Sequence, residues 1–192
     1  ARFISIPDKE DIRKLTNIKI REILADGVDV QLLSRLSLFR KYFSEKDAVS
    51  LSAVQPCINT PKTRLDRLVS MGLIVHDDEG YRVSQLIRKL WTADLIDIEL
   101  RDCTKAVVDT MINGREIDVF TATHAIILLH RAGEHDEAGL LYCTCLFKLL
   151  DDKSFDHRIA SHLTLLWRDM PLPTEMSLKV KISIRLLQTQ VL

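Results

Sequence analysis

The sequence has no surplus of either charge: 27 lysines and arginines stand against 27 aspartates and glutamates in 192 residues. A dedicated nucleic-acid binder takes much of its affinity from neutralised phosphates and carries a basic excess. The balance argues against that class and leaves room only for a local basic patch. No apolar run reaches the ~20 residues that cross a bilayer, and no charged-then-apolar leader opens the chain, so no membrane partner is expected. Four cysteines occur, Cys57, Cys103, Cys143 and Cys145, and none forms a CxxC pair. They read as free thiols of a reducing compartment, and the expected location is cytoplasmic. No GxxxxGK[ST] is present, so no phosphate-cradling loop is expected in these residues.

What is there is ordinary for a globular chain: 46% hydrophobic and 28% charged residues, enough to bury the cores of one or two small domains. The chain opens on Ala1, and Arg185 to Leu192 is still patterned with no stop signal. The expectation is a piece of a larger protein.

Three segments are expected: an N-terminal helical segment over 1–28, a second domain over 29–92, and a helical hairpin region over 93–192. Phe3-Ile-Ser-Ile alternates as a strand or linker would. Pro7-Asp-Lys-Glu-Asp then opens a helix, with acids where the dipole favours them. Ile12, Leu15, Ile20, Ile23 and Leu24 supply its apolar side, and Gly27 reads as its stop. Asp29 reads as the N-cap of a second helix, striped with Leu32, Leu33, Leu36 and Phe39. Ser44-Glu-Lys-Asp begins a third, carrying Ala48, Val49 and Leu51. Asn59-Thr-Pro places a cap before a first-turn proline. The helix that follows puts Leu65, Leu68 and Val69 on one face and stops at Gly72. Leu73-Ile-Val reads as a strand, Asp77-Asp-Glu-Gly80 as a turn, and Tyr81-Arg-Val as the returning strand. Ser84 starts a helix with Leu86, Ile87, Leu90 and Trp91 inward. Three helices, a two-stranded wing and a helix leaving it make the layout of a winged-helix domain.

A longer helix is expected from Asp94, with Ile96, Leu100, Cys103, Val107 and Met111 inward and Asn113-Gly114 closing it. Paired helices follow: Phe120 to Arg131, His135 to Leu150, Asp156 to Asp169, and a segment from Thr174 to Leu192. In the last of these Val180, Ile182 and Ile184 also alternate, which leaves a strand open. Short turns between helices favour antiparallel neighbours. The fold class is therefore mostly α, a small β-wing followed by antiparallel helical hairpins.

Three stretches, Leu36-Ser-Leu-Phe-Arg-Lys-Tyr-Phe-Ser-Glu-Lys-Asp-Ala, Leu65-Asp-Arg-Leu-Val-Ser-Met-Gly-Leu-Ile and Tyr81-Arg-Val-Ser-Gln-Leu-Ile-Arg-Lys-Leu, make residues 30–92 resemble the winged-helix part of signal-transduction ATPases of the STAND/NB-ARC type. In that family a nucleotide-binding module precedes the winged helix and superhelical repeats follow it. The family often carries an ADP-sensing histidine after the second wing strand, whereas the similar place here reads Val83-Ser84-Gln85-Leu86. Ala125-Ile-Ile-Leu-Leu-His-Arg-Ala-Gly-Glu-His-Asp-Glu-Ala-Gly-Leu-Leu-Tyr is similar to a tetratricopeptide repeat. In that resemblance Gly133 lies in the turn, Ala138 is the small residue of the close approach and Tyr142 is the packing aromatic. Ile126 departs from the pattern, which has Gly or Ala there. The resemblance implies a regulatory segment of a signalling protein, with any ATPase activity outside this chain.

The candidate nucleic-acid contacts are Lys62, Arg64 and Arg67, on the helix that would enter a major groove. Asp66 interrupts them, and Asp77, Asp78 and Glu79 at the wing tip would repel a phosphate backbone. Cys143 and Cys145 fall on nearly opposite sides of a helix, His130 and His135 flank a turn, and His157 and His162 are five apart. None has a zinc spacing. Glu134, Asp136, Glu137, Asp151 and Asp152 lie at helix ends, where acids cap and solvate. No nucleophile and base share a face. No catalytic residue, cofactor or metal is expected, and the chain reads as non-enzymatic. The candidate partner contacts are Phe120, Tyr142, Phe147 and Trp167, aromatics of the kind that anchor interfaces and equally able to fill a hairpin core. The expected partner is a protein or a neighbouring domain of the same protein. The competing reading is a DNA-binding regulator with a helical ligand or dimerisation domain.

Overall fold

The computed structural model describes residues 9–24, 26–90, 97–112, 118–151, 167–168 and 171–191. It is mostly helical, with a small two-stranded antiparallel sheet. The chain divides into two compact units, Ala1–Val107 and Val108–Leu192. Among the described residues no helix is long and apolar enough to cross a membrane.

In the first unit α1 (Lys9–Leu24), α2 (Gly27–Leu36), α3 (Glu45–Ser52) and α4 (Pro61–Ser70) precede the sheet. Ile20 and Leu24 of α1 are buried, while Ile12, Leu15 and Ile23 are exposed. The apolar side of α1 is thus narrower than expected. Gly27 is the first residue of α2 and not a stop, and the N-cap is Asp26, whose side chain accepts from the Val28 amide. Asp29, expected as that cap, lies inside the helix and is fully buried beside the stripe of Leu32, Leu33 and Leu36. A capping box closes the start of α3: the Ser44 hydroxyl accepts from the Asp47 amide and the Asp47 carboxylate from the Ser44 amide. Reciprocal capping satisfies two donors that the first turn leaves open. Thr60 precedes Pro61 at the N-cap of α4 with φ 53°, and its side chain makes no capping bond.

Helix α4 ends in a Schellman closure. Leu73 N–H donates to the Leu68 carbonyl, Gly72 N–H to that of Val69, and Gly72 takes φ 70°. Strands β1 (Ile74–Asp77) and β2 (Gly80–Val83) pair in the register Ile74 with Val83 and Asp77 with Gly80. Phe43 and Tyr81 exchange both backbone hydrogen bonds, at 2.8 and 2.9 Å, and so add a single bridge beside β2. This approach dictates Gly80. A Cβ there would stand 2.9 Å from the Phe43 carbonyl oxygen, at a φ of 121°. The rings of Phe39, Phe43, Tyr81 and His76 stack in sequence at 5.2, 6.0 and 4.1 Å between centroids. Leu65, Leu68, Leu73, Ile74 and Val83 join the α2 stripe in the core. Helix α5 (Gln85–Leu90) follows with Ile87 buried. The expectations for Leu86, Leu90, Trp91 and Ile96 lie outside the described side chains.

Helix α6 (Asp97–Ile112) carries the division between the units. In the second unit α7 (Val119–Arg131) and α8 (His135–Asp151) form an antiparallel hairpin. Asp118 caps α7 by accepting from Thr121, and Gly133 at φ 79° makes the turn. Helix α9 (Leu178–Val191) packs on α8. The last segment is therefore a helix from Leu178 and not a strand. Gly139 allows that packing, since a Cβ there would meet Val180 Cγ1 at 2.3 Å. The helix expected over 156–169 lies outside the described residues except for Trp167 and Arg168.

Candidate functional site

The cations of α4 face carboxylates of their own unit. Asp29 follows Asp26 by three residues, close to one helical turn, and both approach α4. Arg64 Nη1 lies 2.8 Å from Asp26 Oδ2 and 2.5 Å from Asp29 Oδ1. Arg67 Nη1 lies 3.0 Å from Asp29 Oδ2. Lys62 Nζ lies 3.2 Å from Glu45 Oε1 of α3. The hydrogen bond from Arg64, then that from the Val28 amide, holds the Asp26 carboxyl below its ordinary range. Lys62 and Arg67 keep exposed surface, and Arg64 is half-buried. The wing tip beyond them is acidic and exposed at Asp77, Asp78 and Glu79. Asp77 accepts from the Tyr42 hydroxyl at 3.0 Å, and this bond raises the tyrosine pKa.

A second cluster, which no local sequence pattern marks, ties α2 to α6. Arg35 is fully buried within the α2 stripe. Its Nε donates to Glu99 Oε1 at 2.8 Å, Nη1 to the carbonyls of Leu51 and Val54, and Nη2 to that of Pro56. Gln31 Nε2 also donates to Glu99 Oε1, at 2.8 Å. A planar fork with donors in several directions serves three elements at once, which a lysine could not. Two charged residues, Asp29 and Arg35, stand in register with Leu32, Leu33 and Leu36. A charge inside an apolar stripe is the signal that would have flagged both.

The four candidate partner contacts separate into two classes. Phe120 and Phe147 are 73% and 63% exposed, whereas Tyr142 and Trp167 are buried. The Tyr142 and Trp167 rings pack at 5.2 Å. The Tyr142 hydroxyl accepts from Gln188 Nε2 at 3.0 Å, and Arg185 Nη1 donates to Gln188 Oε1 and to the Trp167 carbonyl, each at 2.9 Å. Burial is the main cause of the raised Tyr142 pKa. These two aromatics are the hairpin core, joined to α9 through a buried glutamine.

At the α7–α8 turn His130 Nδ1 and His135 Nδ1 are 3.1 Å apart, so one nitrogen carries the shared hydrogen. His130 also meets Trp167 edge-on. Burial, then the neighbouring His135, lowers the His130 pKa. The Cys103 thiol is pushed up to about 11 by burial, and burial raises Cys143 and Cys145 as well. Cys57 is exposed. Among the described residues no group of three or more His, Cys, Asp or Glu is placed to hold a metal ion. Comparison with protein-family models, curated proteins and solved structures gave no match.

Proposed function

We propose that this chain is a non-enzymatic regulatory and protein-interaction segment of a larger signalling protein. In this reading residues 29–92 are a winged helix and residues 93–192 a tetratricopeptide-like hairpin region, and their work is to relay conformation between a neighbouring module and the repeats. The resemblance to STAND-type ATPases motivates the signalling context. The observation that carries the reading is the inward pairing of Arg64 and Arg67 with buried Asp29. A groove-reading helix must present its cations to phosphates or bases. For Arg64 to do so it would leave a buried carboxylate short of a partner, a loss of about 3–5 kcal/mol when such pairs are broken. A good bidentate base contact returns only about 1–3 kcal/mol. The exposed aromatics Phe120 and Phe147 point the same way, toward apolar contact with protein.

An electrophoretic shift assay at low salt with mixed duplex DNA is the test. The expected result is no retardation. Salt-sensitive retardation that disappears with Lys62→Ala and Arg67→Ala would replace this reading by the DNA-binding one. Arg64 is left intact in that assay, because its removal would disturb Asp29 and the fold together.

A further inference from the structure

The two-stranded sheet has one closed edge and one open edge. Residues opposite each other in an antiparallel pair alternate between exchanging both backbone bonds and turning them outward. Ser84 N–H donates to the Leu73 carbonyl at 2.9 Å, and Ile74 stands opposite Val83 in the register that follows. Val75 and Asp77 therefore turn their amides and carbonyls toward β2, while Ile74 and His76 turn theirs away. Tyr81 and Val83 likewise face away from β1, and Phe43 takes both groups of Tyr81. On the β1 side the N–H and C=O of the exposed His76 have no partner among the described residues. Lysine or proline on the strand is a usual protection of an edge, and Ile74-Val75-His76 has neither.

Two further features select what can lie there. Phe43, Tyr81 and His76 come from three adjacent backbone segments, so their stacked rings run across the sheet and end with His76 at the open edge. A strand laid beside β1 places its own side chain next in that row. The turn at the end of the edge holds Asp78 and Glu79. Both are exposed, and neither carboxylate has a hydrogen bond or ion pair among the described residues. Asp77, by contrast, is met by Tyr42 at 3.0 Å and by Arg82 at 3.8 Å. Two unanswered carboxylates beside an open strand edge select lysine or arginine. A nucleic acid would bring phosphates against them. A second copy of this chain, paired antiparallel about His76, would set Asp78 beside Ile74 and Glu79 beside Leu73, neither of them a cation.

We propose that the open edge of β1 receives an extended basic segment of a protein partner, which adds as a third strand with an aromatic side chain beside His76. This deepens the protein-interaction reading and rests on it. The partner's carbonyl accepts from the His76 amide and its amide donates to the His76 carbonyl, as Phe43 does at Tyr81. Lysines or arginines of the segment meet Asp78 and Glu79.

The test uses the full chain and two labelled extended peptides, read by fluorescence anisotropy. Both carry a central phenylalanine and valines at alternate positions; the positions between are lysine in one and glutamate in the other. The lysine peptide is expected to bind, the glutamate peptide at least about tenfold more weakly. The lysine peptide with N-methyl groups on either side of its phenylalanine is expected to lose about tenfold or more, since it cannot donate to the edge. Asp78→Asn with Glu79→Gln is expected to abolish the preference between the two peptides. Both side chains are exposed and unpaired, so the melting temperature should not move. The His76 amide is expected to exchange its hydrogen faster than that of Val75 in the free chain and to slow when the lysine peptide binds. His76→Pro is expected to weaken that peptide about tenfold; should this variant melt lower, the N-methylated peptide asks the same question of an unchanged chain. Equal binding of the lysine and glutamate peptides, no binding of either, or binding untouched by N-methylation overturns the proposal and leaves the interaction reading standing. Sedimentation of the chain alone as a dimer that His76→Pro dissolves assigns the edge to a second copy and overturns it too. Retardation of DNA in the earlier assay would remove the broader reading independently of these results.

Discussion

Replacing Arg35 with methionine keeps a long apolar stem and removes every polar contact of a fully buried guanidinium. Glu99 Oε1 and the carbonyls of Leu51, Val54 and Pro56 each lose a donor, although the Leu51 carbonyl keeps the Val54 amide. The Glu99 side chain is almost fully buried and keeps only Gln31. Breaking a buried ion pair by removing one partner costs about 3–5 kcal/mol. Each carbonyl left dry adds about 1–3 kcal/mol, and water entering the vacated volume returns part of this. The lower bound is therefore about 3 kcal/mol, a large share of the ~5–15 kcal/mol that stabilises a domain. At roughly 4 °C or more per kcal/mol for a unit near 100 residues, the first unit should melt on the order of 10–20 °C lower. Circular dichroism melts with hydrogen exchange over α2 and α3 would read this, and exchange over α7 and α8 should not follow. The pair Arg35→Met with Glu99→Met should recover part of the loss, since apolar replacement of both partners is often neutral. Recovery should be incomplete, because the carbonyls of Val54 and Pro56 stay unserved. A single-variant shift below about 3 °C would show that the Arg35 contacts contribute little to the stability of this unit.

The remaining predictions concern the second unit and the thiols. Gly139→Val should lower its melting temperature markedly, because even a Cβ would overlap Val180 at 2.3 Å; overpacking of this kind costs about 1–3 kcal/mol or more, and an unchanged melt would show that α9 does not pack there. His130 has a folded pKa below its ordinary 6.5. As pH falls through about 6.5 the unfolded chain takes a proton that the folded chain does not, so stability should drop with acidification and level off below the folded pKa. His130→Gln should flatten that dependence, as a series of urea midpoints from pH 8 to 5 would show. Iodoacetamide on the native chain should modify Cys57 first and leave Cys103 unmodified until unfolding, which peptide mass mapping would follow. Early modification of Cys103 would contradict its burial.

Local structure was legible where one short rule decides it. The helix start at Ser44, the glycine closures of α4 and α7, and the strand–turn–strand after Gly72 are each set within a few residues. Long-range pairing was not. Asp29 precedes an apolar run and reads as a cap, but Asp26 before Gly27 does that work, and Asp29 turns inward because Arg64 and Arg67 arrive from a helix far along the chain. Arg35 looks like a surface cation until Glu99 and three carbonyls surround it. Tyr142, Trp167, Phe120 and Phe147 are alike as residue types, and only the packing of α7, α8 and α9 sorts core from surface. The apolar residues of α1 and α9 show the same limit: period reveals a helix, while the number of buried faces depends on its neighbours.

The cations of α4 pair with carboxylates of their own unit. A double-mutant cycle on Asp29→Asn and Arg64→Gln, read from urea unfolding of the full chain, measures this most directly. The expected result is a coupling energy of at least ~1 kcal/mol, within the range of contacting charged pairs, and no gain of DNA retardation when Asp29→Asn releases the arginines. Additive single effects, or a DNA shift that appears with Asp29→Asn, would contradict it.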